Sequence, residues 1–334
     1  MSESRQADVF TRQASACRAS DANSLYAELC ERLAGEPLVA EIAPDFRWNL
    51  PLRLLAALHY LALDGRAPEL ARAYEGGFEV WPAFREALAR ESKWVARFLR
   101  EQAMQTNEVQ RCYGLLPAFL LAASLARKPL EMIELGPSAG FNLLWDRYSY
   151  RYGEERWGPQ NATIELAGEL RSPLPEGLLA LNPVVCKRVG IDLDPIDVTS
   201  ERGARLLRSF IWPDQRERLE RLERAIEVVR ADPPRILRGD YVERLEPLLA
   251  KRSGEALTVV YQTASFFQLA EEARARVEEI LDEAGRREPL ALVSAEHPDR
   301  EDADYWRLYF QLWPGERKVV ARLDFHGRWL DWLS

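Results

Sequence analysis

Leu130-Glu-Met-Ile-Glu-Leu-Gly-Pro-Ser-Ala-Gly-Phe-Asn-Leu-Leu-Trp-Asp146 passes from an apolar run into a glycine-bearing turn and then into helical spacing. Such a stretch reads as the strand, turn and helix that open a βαβ unit. Gly136 and Gly140 lack a Cβ, so backbone can pass close to a ligand there. Ser138 and Asn142 lie on the turn and at the start of the helix, where free N–H groups meet carboxylate or phosphate oxygens. The spacing is GxxxG, not the GxGxxG of dinucleotide sites, and Glu134 closes the strand. An acid in that place suits the amino group of a methionine moiety and would repel a pyrophosphate. The stretch therefore predicts a cofactor site of the S-adenosylmethionine (AdoMet) type; the plain alternative is a tight strand-to-helix turn without a ligand.

Outward from this turn, short apolar runs alternate with amphipathic helices after Lys128-Pro129, the pattern of a mostly parallel sheet. Strands are expected at 130–135, 188–193, 235–237, 257–262 and 290–295. The stretch 148–185 is long for one crossover and reads as an insertion, with a strand-like piece at 162–166. Tyr305 to Trp313, then Pro314-Gly315, then Lys318 to Phe325 form a hairpin signal. An antiparallel pair closing a parallel sheet favours a methyltransferase-like fold over a plain dinucleotide fold by analogy. Before Lys128 the periodicity is helical, at 24–33, 50–63, 81–99 and 109–125, with Pro51, Pro68 and Pro82 at the starts of segments or between them. The expected organisation is a helical domain over 1–127, capping the carboxyl edge of the sheet, and a doubly wound, Rossmann-like α/β domain over 128–334.

Further residues fall where ligands of open α/β sheets bind, at the carboxyl ends of strands. Asp192 and Asp194 end the second expected strand, and either suits a ribose diol; the other reading is that they cap a following turn. Asp240, after Arg238-Gly239, suits an adenine amino group, with Tyr241 offering a ring face, or it is a helix N-cap. Gln262 and Thr263 end the fourth strand and face an acceptor there, although neither is a competent base near neutral pH. Gln105-Thr-Asn-Glu108 opens an apolar helix: either Thr106 or Asn107 caps it, or Asn107 and Glu108 point into the cofactor pocket. Glu108 is thus a third candidate facing the acceptor.

The 334 residues include 47% hydrophobic and 29% charged residues, the balance of an ordinary globular chain, and a net charge of -8 that disfavours nonspecific nucleic-acid binding. The run from Arg216 to Arg230 alternates Arg and Glu as a solvated helix does. No apolar stretch approaches a membrane span and the start has no secretory core, which together point to a cytoplasmic protein without a membrane partner. Four scattered cysteines and three dispersed histidines give no metal site; Asp299, Asp302 and Asp304 read as a solvated loop before a cation site. Trp306, Trp313, Trp329 and Trp332 fill a core or form a homo-oligomer interface.

Taken together, Gln105 to Val109, Glu134 to Tyr148, Arg188 to Pro195, Trp212 to Gln215, Arg238 to Asp240 and Ser294 to Glu296 resemble a bacterial family known as domain of unknown function 2332, almost end to end. The resemblance implies a methyltransferase-like fold and supplies no substrate. Similar proteins carry His at the position of Gln262; a base there would be missing from this chain. The expectation is an AdoMet-dependent methyltransferase acting on a small-molecule acceptor, or a noncatalytic AdoMet or nucleotide sensor or scaffold of the same fold.

Overall fold

A computed structural model describes residues 3–20, 24–43, 49–76, 79–105, 107–252, 254–298 and 304–333. In chain order its helices are α1 (Glu3–Ser20), α2 (Leu25–Leu33), α3 (Pro37–Ile42), α4 (Leu50–Leu63), α5 (Pro68–Tyr74), α6 (Val80–Arg90), α7 (Ser92–Glu101), α8 (Arg111–Ala126), α9 (Glu201–Ser209), α10 (Arg216–Ala231), α11 (Tyr241–Leu249) and α12 (Glu271–Gly285). Its strands are β1 (Leu130–Leu135), β2 (Ser149–Tyr152), β3 (Glu155–Trp157), β4 (Glu165–Ala167), β5 (Glu169–Leu170), β6 (Val185–Asp192), β7 (Ile236–Arg238), β8 (Leu257–Thr263), β9 (Leu290–Glu296), β10 (Trp306–Leu312), β11 (Lys318–Leu323) and β12 (Trp329–Trp332). Among the described residues no helix is long and apolar enough to cross a membrane.

Contacts divide the chain into Met1–Thr106 with Ser200–Leu222, and Asn107–Thr199 with Glu223–Ser334. The sequence changes character at Lys128, but α8 precedes that point and packs on β8 and β9, because its residues from Arg111 to Leu120 are all buried. In the helical unit α4 is apolar on most of its surface and forms the centre of the core with Leu54, Leu55, Leu58 and Leu61. Pro51 and Pro68 stand in first turns, where a missing N–H costs nothing. The helix expected over 81–99 is two helices, since Glu91 leaves helical torsions (φ −103°, ψ 14°). Buried Arg53 donates to the carbonyls of Leu99 and Gln102 and so satisfies the open end of α7.

The α/β unit is built on a nine-stranded sheet ordered β5-β12-β11-β10-β9-β8-β1-β6-β7. From β7 to β9 every pairing is parallel. The order of these five strands in the chain is 3-2-1-4-5, which places the switch point between β1 and β8. β10, β11 and β12 then add antiparallel in succession beyond β9, so the expected hairpin is part of a three-strand extension. The insertion at 148–185 contributes a small sheet, β3-β2-β4, and the short β5 beside β12. On one face of the main sheet Ile133, Leu135, Val260 and Leu292 share a core with α11 and α12. Side chains alternate along a strand, so Glu134 and Tyr261 point to the other face, where Phe119 of α8 packs edge to face on Tyr261 at 5.0 Å.

Candidate functional site at the carboxyl edge of the sheet

The glycine turn follows β1 at the switch point. Gly136, Ser138 and Gly140 all hold positive φ, at 75°, 53° and 80°. The Gly136 N–H donates to the Ile191 carbonyl at 2.9 Å, and the Ser138 N–H donates to Asp192 Oδ2 at 2.8 Å. Asn107 Nδ2 reaches the Pro137 carbonyl at 3.0 Å, which ties the segment before α8 to the turn. A Cβ at Gly140 would stand 2.7 Å from Pro234 Cγ, and one at Gly136 3.0 Å from Ser265 Cβ. Neighbouring protein atoms and a positive φ each exclude a side chain at both glycines. The helix after the turn, Phe141–Arg147, is a seven-residue 3-10 helix with Gly140 at its N-cap and a break at Leu144.

Glu134 sits beneath this turn and is only 2% exposed. Asn142 Nδ2 and Tyr261 Oη each donate to it at 3.2 Å, and the Cys112 thiol donates to Asn142 Oδ1, also at 3.2 Å. Burial pushes the Glu134 carboxyl up to about 8, against the pull of those two donors. The sequence sets this acid against the amino group of a methionine moiety; in the structure the carboxyl is enclosed, uncharged for the most part at neutral pH, and braces the turn through Asn142.

Asp192, which ends β6, and Asp194, just beyond it, have different employment. Asp192 accepts from the Ser138 and Asp194 N–H groups, each at 2.8 Å, so its carboxylate holds the loops together. Asp194 is exposed and pairs with Arg238 Nη1 at 2.7 Å, with both side chains more than half exposed. Asp240 is the N-cap of α11, accepting from the Val242 N–H at 2.8 Å, as the capping reading has it. Tyr241 offers no open ring face: it is buried, packs on Phe266, and its phenol is pushed up to about 12 by burial while bonding Ser265.

At the end of β8, Gln262 is wholly enclosed. Its Nε2 donates to Ser294 Oγ at 2.6 Å, and its Oε1 accepts from the Ser265 N–H at 2.9 Å and hydroxyl at 3.2 Å. The chain of bonds continues from the Ser294 hydroxyl to Glu296 and from Arg274 of α12 to Glu296. Gln262 thus shapes the loop after β8, in which Ala264 holds a φ of 60°, and its expected position facing an acceptor is corrected. Thr263 turns to the α8 face, where Arg111 Nη1 lies 3.5 Å from its hydroxyl. Arg111 also donates to the Phe325 carbonyl at 3.0 Å and lies over the Trp306 ring at 4.6 Å. Glu108 is buried, with Oε1 accepting the Gln110 N–H at 3.2 Å. Gln110 is the N-cap of α8, so Asn107 is not the cap; the Gln110 side chain makes no capping bond and donates instead to the Ala167 and Gly327 carbonyls, and Thr106 lies outside the described residues.

Arg111, Arg238, Ser265 and Arg274 are absent from the sequence-derived set. An arginine opening the apolar run 109–125 is the one local signal that marks any of them. Among the described residues no group of three or more metal-ligating side chains comes together, and Asp299 and Asp302 lie outside them. No curated protein and no solved structure matches the chain. A family model described as an uncharacterized protein conserved in bacteria (DUF2332) matches residues 7–332, and the chain belongs to that family.

Proposed function

We propose that the carboxyl edge of the sheet binds a nucleoside cofactor of the AdoMet type and that the protein transfers the methyl group to a small-molecule acceptor. The observation that carries this reading is that the glycine turn, Asp194 and Asp240 directly follow the neighbouring parallel strands β1, β6 and β7, beside the switch point. Asp194 fits a ribose diol: it is exposed, and a surface ion pair such as the one with Arg238 yields at a cost of ~1 kcal/mol or less. Asp240 keeps its second carboxylate oxygen for an exocyclic amino group, since the Val242 N–H uses only Oδ1. Asp192 and Glu134 fit positioning parts, holding Ser138 and Asn142 of the turn. The methionine end is the weaker fit, because Glu134 is enclosed.

A sulfonium cofactor supplies an electrophilic methyl group, so the protein's task is to bring an acceptor into line, and orientation provides most of the acceleration. Thr263 and Arg111 stand beside the switch point on the α8 face, where they suit a polar acceptor. One observation favours a second reading, a sensor that binds without catalysis: Gln262 is fully enclosed and bonded, which leaves the end of β8 without the residue expected to meet an acceptor. Calorimetric titration with AdoMet, S-adenosylhomocysteine and NADH tests the pocket. Micromolar binding of the two adenosyl compounds alone, lost in Asp194→Ala, is the expected result, and failure of both to bind overturns the proposal. Labelled methyl transfer into a metabolite pool then separates the enzyme from the sensor.

A further inference from the structure

The helical unit contains a polar place that the carboxyl edge does not involve. Tyr26 of α2, His59 of α4 and Tyr74 of α5 carry buried atoms, Oη, Nδ1 and Oη, without a hydrogen-bond partner among the described residues. The rings of His59 and Tyr74 meet edge to face with centroids 5.6 Å apart. Tyr26 lies against the Trp212 ring at 5.0 Å. Burial pushes both phenols up; Tyr74 adds to the effect at Tyr26, and Asp214 adds at both. Burial also pushes the His59 imidazole down to about 4, although bonds to the backbone at Ser209 and Ile211 oppose it. At neutral pH the ring is uncharged, with one nitrogen engaged by that backbone and Nδ1 presenting a lone pair.

A buried polar group left unmatched costs about 1–3 kcal/mol, and native interiors match such groups through protein or ordered water. A buried water makes about three hydrogen bonds, the number these side chains offer. We infer that an ordered internal water is bound among Tyr26, His59 and Tyr74, donating to His59 Nδ1 and accepting from the two phenolic hydroxyls. Its position gives it a role. Ser209, Ile211, Trp212 and Asp214 belong to the stretch Ser200–Leu222, which lies between β6 and β7 in the chain yet is part of the helical unit. Around the water that stretch is fastened to the N-terminal helices, by the backbone at His59, by Trp212 on Tyr26, and by the Leu25 N–H to Asp214 Oδ2 at 3.4 Å. The site is a hydrated latch for the returning segment.

Tyr26→Phe and Tyr74→Phe in the full chain test this by the sign of the stability change. A hydroxyl bonded to water is missed when removed, so each variant lowers the unfolding equilibrium ratio roughly fivefold in denaturant titration. A hydroxyl that is dry and unmatched is better removed, so variants as stable as the parent, or more so, overturn the inference. Oxygen-17 relaxation dispersion supplies an independent count: the double variant loses one long-lived water, and an unchanged count also overturns it.

Discussion

Glu134 and Asp194 both stand near the carboxyl ends of adjacent parallel strands, and the sequence marks both as cofactor ligands, yet the fold treats them in opposite ways. Glu134 lies under α8, takes two neutral donors, and is pushed up to about 8. Asp194 lies in water and takes one exposed cation. Position along a strand brings an acid to the edge; the element lying over that edge decides whether it is a charge offered to a ligand or a neutral brace inside the wall. Removing each acid in turn separates wall from ligand contact.

The largest expected effect is at Glu134. Replacing it with Ala leaves Asn142 Nδ2 and Tyr261 Oη without their buried acceptor and lowers stability by about 3 kcal/mol or more in denaturant unfolding. The pH dependence has a definite sign. The folded carboxyl holds its proton up to about 8 while the unfolded one loses it near 4.5, so the folded state binds the extra proton between those values. The stabilising contribution is complete below pH 4.5 and falls by roughly 1.4 kcal/mol per pH unit until about pH 8, where it levels off. Glu134→Gln keeps a neutral acceptor for one donor and removes this slope; a slope that persists in the Gln variant shows that another group is responsible.

Next come Asp192 and Asp194. Asp192→Ala strips an acceptor from the Ser138 and Asp194 N–H groups and is expected to cost about 1–3 kcal/mol of stability. Asp194→Ala breaks only an exposed pair, changing stability by less than ~1 kcal/mol, and under the proposed function it lowers AdoMet affinity at least tenfold. Equal stability losses in the two variants, measured side by side, would erase the distinction between brace and ligand contact.

The strand positions were legible because each parallel strand is a short apolar run between breakers, and β1, β8 and β9 lie within a residue of where periodicity puts them. Three features were not. The helix α1 has a weakly apolar sequence whose few buried apolar residues, Phe10, Ala14 and Cys17, carry the spacing alone. The short β5 and β12 exist only through pairing with partners far along the chain. The fate of Gln262 depends on Ser294, 32 residues away on the next strand, and that of Glu134 on Tyr261, 127 residues away. Local sequence shows that these residues are polar at strand ends; non-local pairing decides whether they face a ligand.

The smallest expected effect probes the loop that Gln262 shapes. Ala264 follows β8 with a φ of 60°, a left-handed conformation in a residue with a Cβ. It is held there because the Gln262 side chain gathers the N–H groups of Ser265 and Phe266 and the Ala264 N–H meets the Ala295 carbonyl at 3.3 Å. Glycine adopts this conformation without the steric term but is freer in the unfolded chain. The two effects oppose each other, and relief of the Cβ clash, ~1 kcal/mol or somewhat more, exceeds the entropic loss of roughly 0.4–1 kcal/mol. Ala264→Gly is therefore expected to raise the melting temperature slightly. The same substitution made in a Gln262→Ala background, where nothing holds the turn, gains less or nothing. An equal gain in both backgrounds would mean that Gln262 does not impose the turn.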